Sequence, residues 1–241
     1  MKIEVWSDYV CPFCYIGKRT LEQALENFPH KDEVQVSYKA FQLDPNTKSD
    51  ENISVHEALA NKYEISVDEA KAMNNQLVAR AAEVGLTYNF DQVKQTNTLD
   101  AHRLAKYAET KGKGKEMAER LMKGYFTESK FLGKLDTLIE LAVEAGLDRE
   151  ETETVLKTDG FAASVQEDQA EAAKLQVQGV PFFVINRKYA ISGAQPVTAF
   201  ADTLQKVWEE ENKAAPLQQI DTGQGAVCTD DHCDIPGSKN E

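Results

Sequence analysis

The chain has 241 residues, and 27 basic against 40 acidic side chains give a formal net charge of −13. With 41% hydrophobic and 8% aromatic residues it has the material for a packed core, which excludes wholesale disorder. The acidic balance excludes an electrostatically driven nucleic-acid binder, because such proteins supply the cations that displace phosphate counterions.

Lys2–Trp6 alternates polar and apolar residues and predicts a short strand. Cys11-Pro12-Phe13-Cys14 follows, and Ile16, Leu21, Leu25 and Phe28 then recur at near-helical spacing until Pro29. Pro12 fits the first turn of that helix, where a missing N–H costs nothing. Val34–Leu43 is rich in β-branched and aromatic residues and predicts a second strand. From about Ile53 to Gln176 the pattern is helical. Ser66 and Glu69 form a capping box before a helix that Gly85 stops. Leu99–Ala108, Met117–Phe126, Thr137–Ala145, a short helix from Asp148 through Leu156, and Phe161–Leu175 follow. His30 and His56 read as surface positions. Gly179 to Asn186 returns to β character, Arg187-Lys188 makes a turn into Tyr189–Ile191, and a last amphipathic helix carries Val197, Phe200, Leu204, Val207 and Trp208. Beyond Asn212 the composition is linker-like.

A strand–helix–strand opening cannot bury a core alone, so it must pair with the late hairpin, and the helices between are an inserted subdomain. The expected organisation is residues 1–50 and 171–212 for one α/β unit, 51–170 for a helical insert, and 213–241 for a tail.

Four cysteines are too few for a disulfide scaffold, and they fall in two close pairs, Cys11/Cys14 and Cys228/Cys233. The first residues lack the basic and apolar regions of a secretory signal, and no stretch approaches the length of a membrane span, so a cytoplasmic location is expected. Close cysteine pairs in a reducing compartment point to catalysis, regulation or metal binding.

A CxxC that opens a helix after the first strand, together with a Val-Pro that opens a late strand, resembles the thioredoxin fold. A helical insert of over 100 residues resembles the DsbA-like family. Trp6-Ser7-Asp8-Tyr9-Val10-Cys11-Pro12-Phe13-Cys14, Phe41-Gln42-Leu43-Asp44-Pro45, Gly179-Val180-Pro181-Phe182-Phe183, Ser192-Gly193-Ala194-Gln195 and the tail C-x4-C resemble its cytosolic FrnE-type branch.

The resemblance implies a thiol–disulfide oxidoreductase or isomerase acting on protein thiols. Cys11 is the expected nucleophile, placed where a helix N-terminus favours a thiolate, and Cys14 is the resolving thiol. Pro12 and Phe13 lie between them without the histidine of strongly oxidising relatives, which implies a less oxidising couple. Pro181 is expected to be cis beside the reactive sulfur, and Val180 to offer main-chain hydrogen bonds to an extended substrate. Cys228 and Cys233 read as a second redox pair that relays electrons, or as a stapling disulfide. The linker of ~15 residues spans about 20 Å as a coil, enough to fold back over the site. A zinc site with ligands drawn from the two cysteine pairs together with His232 is the rival; no metal and no cofactor is assigned. Asp8 reads as a turn residue or a proton-transfer aid, and Trp6 and Tyr15 as core or flanking aromatics. His102 reads as a packing residue or a substrate contact in the cleft beneath the insert. Expected partners are protein thiols and disulfides and a small-thiol or thioredoxin-type reductant, with no nucleic acid and no membrane. A glutathione-linked isomerase or transferase, and a non-catalytic redox-sensing adaptor or chaperone, are the alternatives.

Overall fold

The computed structural model describes residues 1–212 together with Val227–Cys228 and Cys233–Asp234. In chain order, β1 (Lys2–Ser7), α1 (Pro12–Glu26) and β2 (Gln35–Ala40) open the fold. Then come β3 (Asp50–Ser54), α2 (Val55–Tyr63), α3 (Val67–Ala82), β4 (Lys94–Gln95) and α4 (Leu99–Thr110). The helices α5 (Gly114–Phe126), α6 (Leu135–Glu144), α7 (Arg149–Lys157) and α8 (Ala162–Lys174) lead to β5 (Phe182–Ile185), β6 (Tyr189–Ser192) and α9 (Val197–Glu211). This is a DsbA-like thioredoxin fold with a helical insert.

One sheet has the order β2-β1-β5-β6, with β1 parallel to β2 and antiparallel to β5. β1 is therefore central and is buried on both faces from Ile3 to Ser7, which differs from the one-sided strand its alternation predicts. Ile3 and Val5 pack with Leu21 of α1, Phe28 just beyond that helix, and Phe200, Leu204 and Val207 of α9. On the opposite face Trp6 and Val184 meet Ala172 of α8. The Trp6 indole N–H donates to the Asp168 carbonyl at 3.0 Å, and the Asp168 carboxylate accepts from the Ala40 N–H at 2.8 Å. Glu4 tolerates burial because Arg187, Lys2 and Lys39 surround its carboxylate.

The hairpin turn spans residues 186–188, so it contains the expected Arg187-Lys188 and adds Asn186. Asn186 and Arg187 have positive φ (49° and 55°), a region asparagine enters more readily than lysine, and Lys188 completes the three residues between the paired Ile185 and Tyr189. In the insert, the Ser66–Glu69 capping box is present in full, and the Asp148 side chain caps α7 by accepting the Glu151 N–H at 2.9 Å. The helical reading of the insert omits α2 and the two-stranded β3–β4 ladder. His56 corrects its surface assignment. It is 4% exposed, with Nδ1 against the Asn74 amide at 2.9 Å, because α2 turns it between α3 and the 90–92 turn. α8 runs through residue 170 and packs on the sheet.

Residues 1–208 form one compact unit. In the separate tail unit, β7 (Val227–Cys228) and β8 (Cys233–Asp234) pair antiparallel with Cys228 opposite Cys233. The side chains of both cysteines, the linker after Asn212 and Thr229–His232 lie outside the described residues, and with them the expected relay, staple or zinc role of the tail.

Candidate active site

Cys11 is the N-cap of α1, with extended backbone (φ −89°, ψ 113°) and Pro12 in the first turn. Its N–H donates to the Asp8 carbonyl at 3.2 Å, and its carbonyl accepts from the Cys14 N–H at 3.0 Å. The leading N–H groups of a helix have no partner within it, so the sulfur sits where negative charge is favoured. Its S–H points to the Val180 carbonyl at 3.7 Å, and the Val180–Pro181 peptide bond is cis.

Gly17 brings these parts together. A Cβ there would lie 2.9 Å from Pro181 Cγ and 3.1 Å from Phe183 Cζ, so only glycine lets α1 press against this bend. Composition gave no hint of this contact, although a lone glycine inside a helical run is a recognisable signal.

Cys14 is buried on the inner side of the turn, and both thiols are free. Burial, reinforced by neighbouring Cys11, pushes the Cys14 thiol well up; the Asp8 N–H, which donates to its sulfur at 3.5 Å, works in the opposite direction. Asp8 is itself only 1% exposed. One carboxylate oxygen accepts the Leu43 N–H at 2.8 Å, and the other lies 3.2 Å from His102 Nε2 on α4. The His102 ring packs on Tyr9 with centroids 4.7 Å apart, and both line a cavity of about 380 Å³ between β2 and α4–α5. The structure thus links His102, buried and paired, to Cys14 through Asp8.

Three contacts from the insert support the CxxC helix. Tyr88 donates its hydroxyl to the Pro12 carbonyl at 2.7 Å and stacks on Phe126. Tyr15 donates to Glu119 at 2.7 Å, and the same carboxylate holds Arg19 at 2.9 Å and the buried Lys18. Burial opposes charge on Glu119, yet Lys18 and Arg19 hold its carboxyl below the usual range. Phe13 is 37% exposed, with the Arg80 guanidinium 5.3 Å from its ring centroid. Trp6 is core. Tyr88, Glu119 and Gly17 are supporting residues that sequence reasoning missed; for the first two, nothing near Cys11 in the sequence signals the contact. Among the described residues, no cluster of three or more His, Cys, Asp or Glu side chains is placed to hold a metal, and no helix is long and apolar enough to cross a membrane.

A four-stranded sheet with a Cys-Pro-Phe-Cys helix start beside a Val-Pro bend defines a dithiol protein of the thioredoxin class. The chain matches the DSBA-like thioredoxin domain over residues 2–205 and belongs to that family. A probable DsbA oxidoreductase from Streptomyces coelicolor is similar over 98% of this chain and 100% of its own, with 38% identity and a TM-score of 0.82. The uncharacterized protein YwbO of Bacillus subtilis is 29% identical over 217 residues, which is 88% of this chain and 97% of YwbO. The cytosolic disulfide reductase DsbM of Pseudomonas aeruginosa, solved with GSH, is 16% identical with a TM-score of 0.62, over 87% of this chain and 100% of its own. That last likeness is one of fold.

Proposed function

We propose that this protein is a cytoplasmic thiol–disulfide oxidoreductase or isomerase of the FrnE-type branch, acting on protein substrates through Cys11 and Cys14. The observation that carries the reading is the position of Cys11: N-cap of α1, with its sulfur 3.7 Å from the Val180 carbonyl.

In the reducing direction the Cys11 thiolate attacks a substrate disulfide. A new S–S bond joins Cys11 to one substrate sulfur, and the other leaves as a thiolate that takes a proton. Cys14 then loses its proton and attacks the Cys11 sulfur, expelling the second substrate thiol and leaving a Cys11–Cys14 disulfide. Two electrons pass to the substrate, and a small thiol or a thioredoxin-type reductant restores the dithiol. The reverse sequence donates a disulfide. Val180 and Pro181 would hold the substrate segment extended across the nucleophile by main-chain hydrogen bonds. Cys228 and Cys233 would serve as a second redox pair.

The test is reduction of insulin disulfides by the parent chain, by Cys11→Ser and by a chain ending at Asn212. Cys11→Ser is expected to lose at least 100-fold in rate, and retained turnover would remove the basis of the proposal. The shortened chain is expected to keep its first turnover and to lose recycling.

A further inference from the structure

The strongest unexplained feature is a buried acid–base pair behind the resolving cysteine. Asp8 and His102 are 1% and 2% exposed, 94 residues apart in sequence, and 3.2 Å apart between Oδ1 and Nε2. Burying a carboxylate and an imidazole together carries a large desolvation penalty, so such a pair calls for a reason. The geometry supplies one. The Asp8 carboxylate is held between His102 and the Leu43 N–H, while the backbone N–H of the same residue donates to Cys14 Sγ at 3.5 Å. An N–H donor to a sulfur gains strength when that sulfur becomes an anion, and Cys14 must become one to resolve a mixed disulfide.

We propose that Asp8 and His102 form a positioning clamp for Cys14: His102 and the Leu43 N–H fix the Asp8 carboxylate, which keeps the Asp8 N–H on the Cys14 sulfur and stabilises the resolving thiolate. The clamp rests on the disulfide-exchange reading for its purpose, and its geometry is independent of substrate. The contact is made by the chain just before the CxxC with a helix of the insert, so the insert sets the readiness of the second sulfur.

The other ionisable groups around the pair leave this role to it. The phenols of Tyr9, Tyr38 and Tyr125 are pushed up by burial and stay neutral. Lys106, one turn beyond His102 on α4, is neutralised by Glu109 at 3.3 Å and by Asp168. Cys11 and the Ser7 hydroxyl also face Cys14, and the nearby Tyr88 phenol, pushed up by burial, stays neutral.

The test follows Cys14 ionisation by thiolate absorbance in the full-length chain carrying Cys11→Ser, Cys228→Ser and Cys233→Ser, with His102, His102→Gln or His102→Met. Glutamine keeps an N–H donor toward Asp8, whereas methionine fills similar space without one. The methionine variant is expected to titrate about one pH unit higher, a tenfold smaller thiolate fraction at a given pH, and the glutamine variant within about 0.3 unit of the parent. With all four cysteines present, release of a glutathione mixed disulfide from Cys11 is expected to slow about tenfold in His102→Met at pH 7, with Cys11 alkylation unchanged. Equal titration in all three chains, a common shift in both variants, or failure of both variants to fold overturns the clamp and leaves His102 a packing residue. If insulin turnover survives Cys11→Ser while the methionine shift is found, the exchange reading fails and the clamp stands.

Discussion

Cys11 and Cys14 sit one helical turn apart, yet different parts of the chain hold them. Cys11 meets the Val180 carbonyl beside Pro181, and Gly17 lets α1 close on that bend, so its sulfur's polar contact comes from the sheet side, although both cysteines border the insert's apolar core. Cys14 faces Asp8, whose carboxylate is held by His102 of the insert. Tyr88 and Glu119, also from the insert, fix the carbonyl between the two cysteines and the base of α1. The first sulfur is thus set by the α/β frame, and the second depends on helices that the frame alone would lack. A helical insert in such a protein does more than widen a surface: its side chains complete one half of the reactive pair.

The two sides can be broken separately. The largest effect is expected from Gly17→Val, which drives a branched side chain into Pro181 and Phe183. Overpacking of this kind costs roughly 1–3 kcal/mol, and because the shift falls on the Cys11 side, insulin reduction should drop more than tenfold. A melting curve and an insulin assay together check it. A variant with normal stability and normal turnover would show that the tight approach at Pro181 is not needed.

Next is Glu119→Gln, which leaves the buried Lys18 with Glu22 alone. Losing a charged partner of a buried donor costs roughly 1–3 kcal/mol. The sign with pH is fixed. The folded carboxyl lies below its ordinary value, so the stabilisation is present above the ordinary carboxylate range, roughly pH 4.3, and is lost as pH falls through the folded value. Urea midpoints from pH 7 down to pH 3 should therefore converge for parent and variant in acid. A gap that widens in acid would contradict the assignment.

The smallest effect is expected from Tyr88→Phe. The ring keeps its stacking on Phe126, and only the hydrogen bond to the Pro12 carbonyl is removed, roughly 0.5–1.5 kcal/mol. Chemical denaturation resolves a change of that size. No change at all would mean that water replaces the hydroxyl at no cost, and that this insert contact does not steady the site.

The frame was legible because its signals are local. A strand ending at a CxxC, a proline at the helix start and a Val-Pro before a β run each occupy a few residues, and together they located the sheet and the cysteine helix. Ser66 and Asp148 likewise marked helix starts through side-chain-to-backbone bonds within one turn. The Ser54–Glu57 capping box is equally local and announces α2 in the same way. The two-residue strand β4 was not legible, since its pairing with β3 spans some forty residues. The insert's contributions to the site follow the same rule. His102, Tyr88 and Glu119 act through tertiary contacts 76 to 104 residues long. His102 stood out only as a helical histidine, and Glu119 only as one charge among many. Asp8 was visible beside the motif, but its burial and pairing required the fold.

The central claim is that Cys11 strikes first and Cys14 resolves. It is tested most directly by incubating Cys14→Ser with a disulfide-containing peptide and mapping the product by mass spectrometry. A peptide adduct on Cys11 that accumulates near one per chain, and that the parent chain does not retain, is the expected result. No adduct with Cys14→Ser, or an adduct on Cys14 when Cys11→Ser is used instead, would contradict the account.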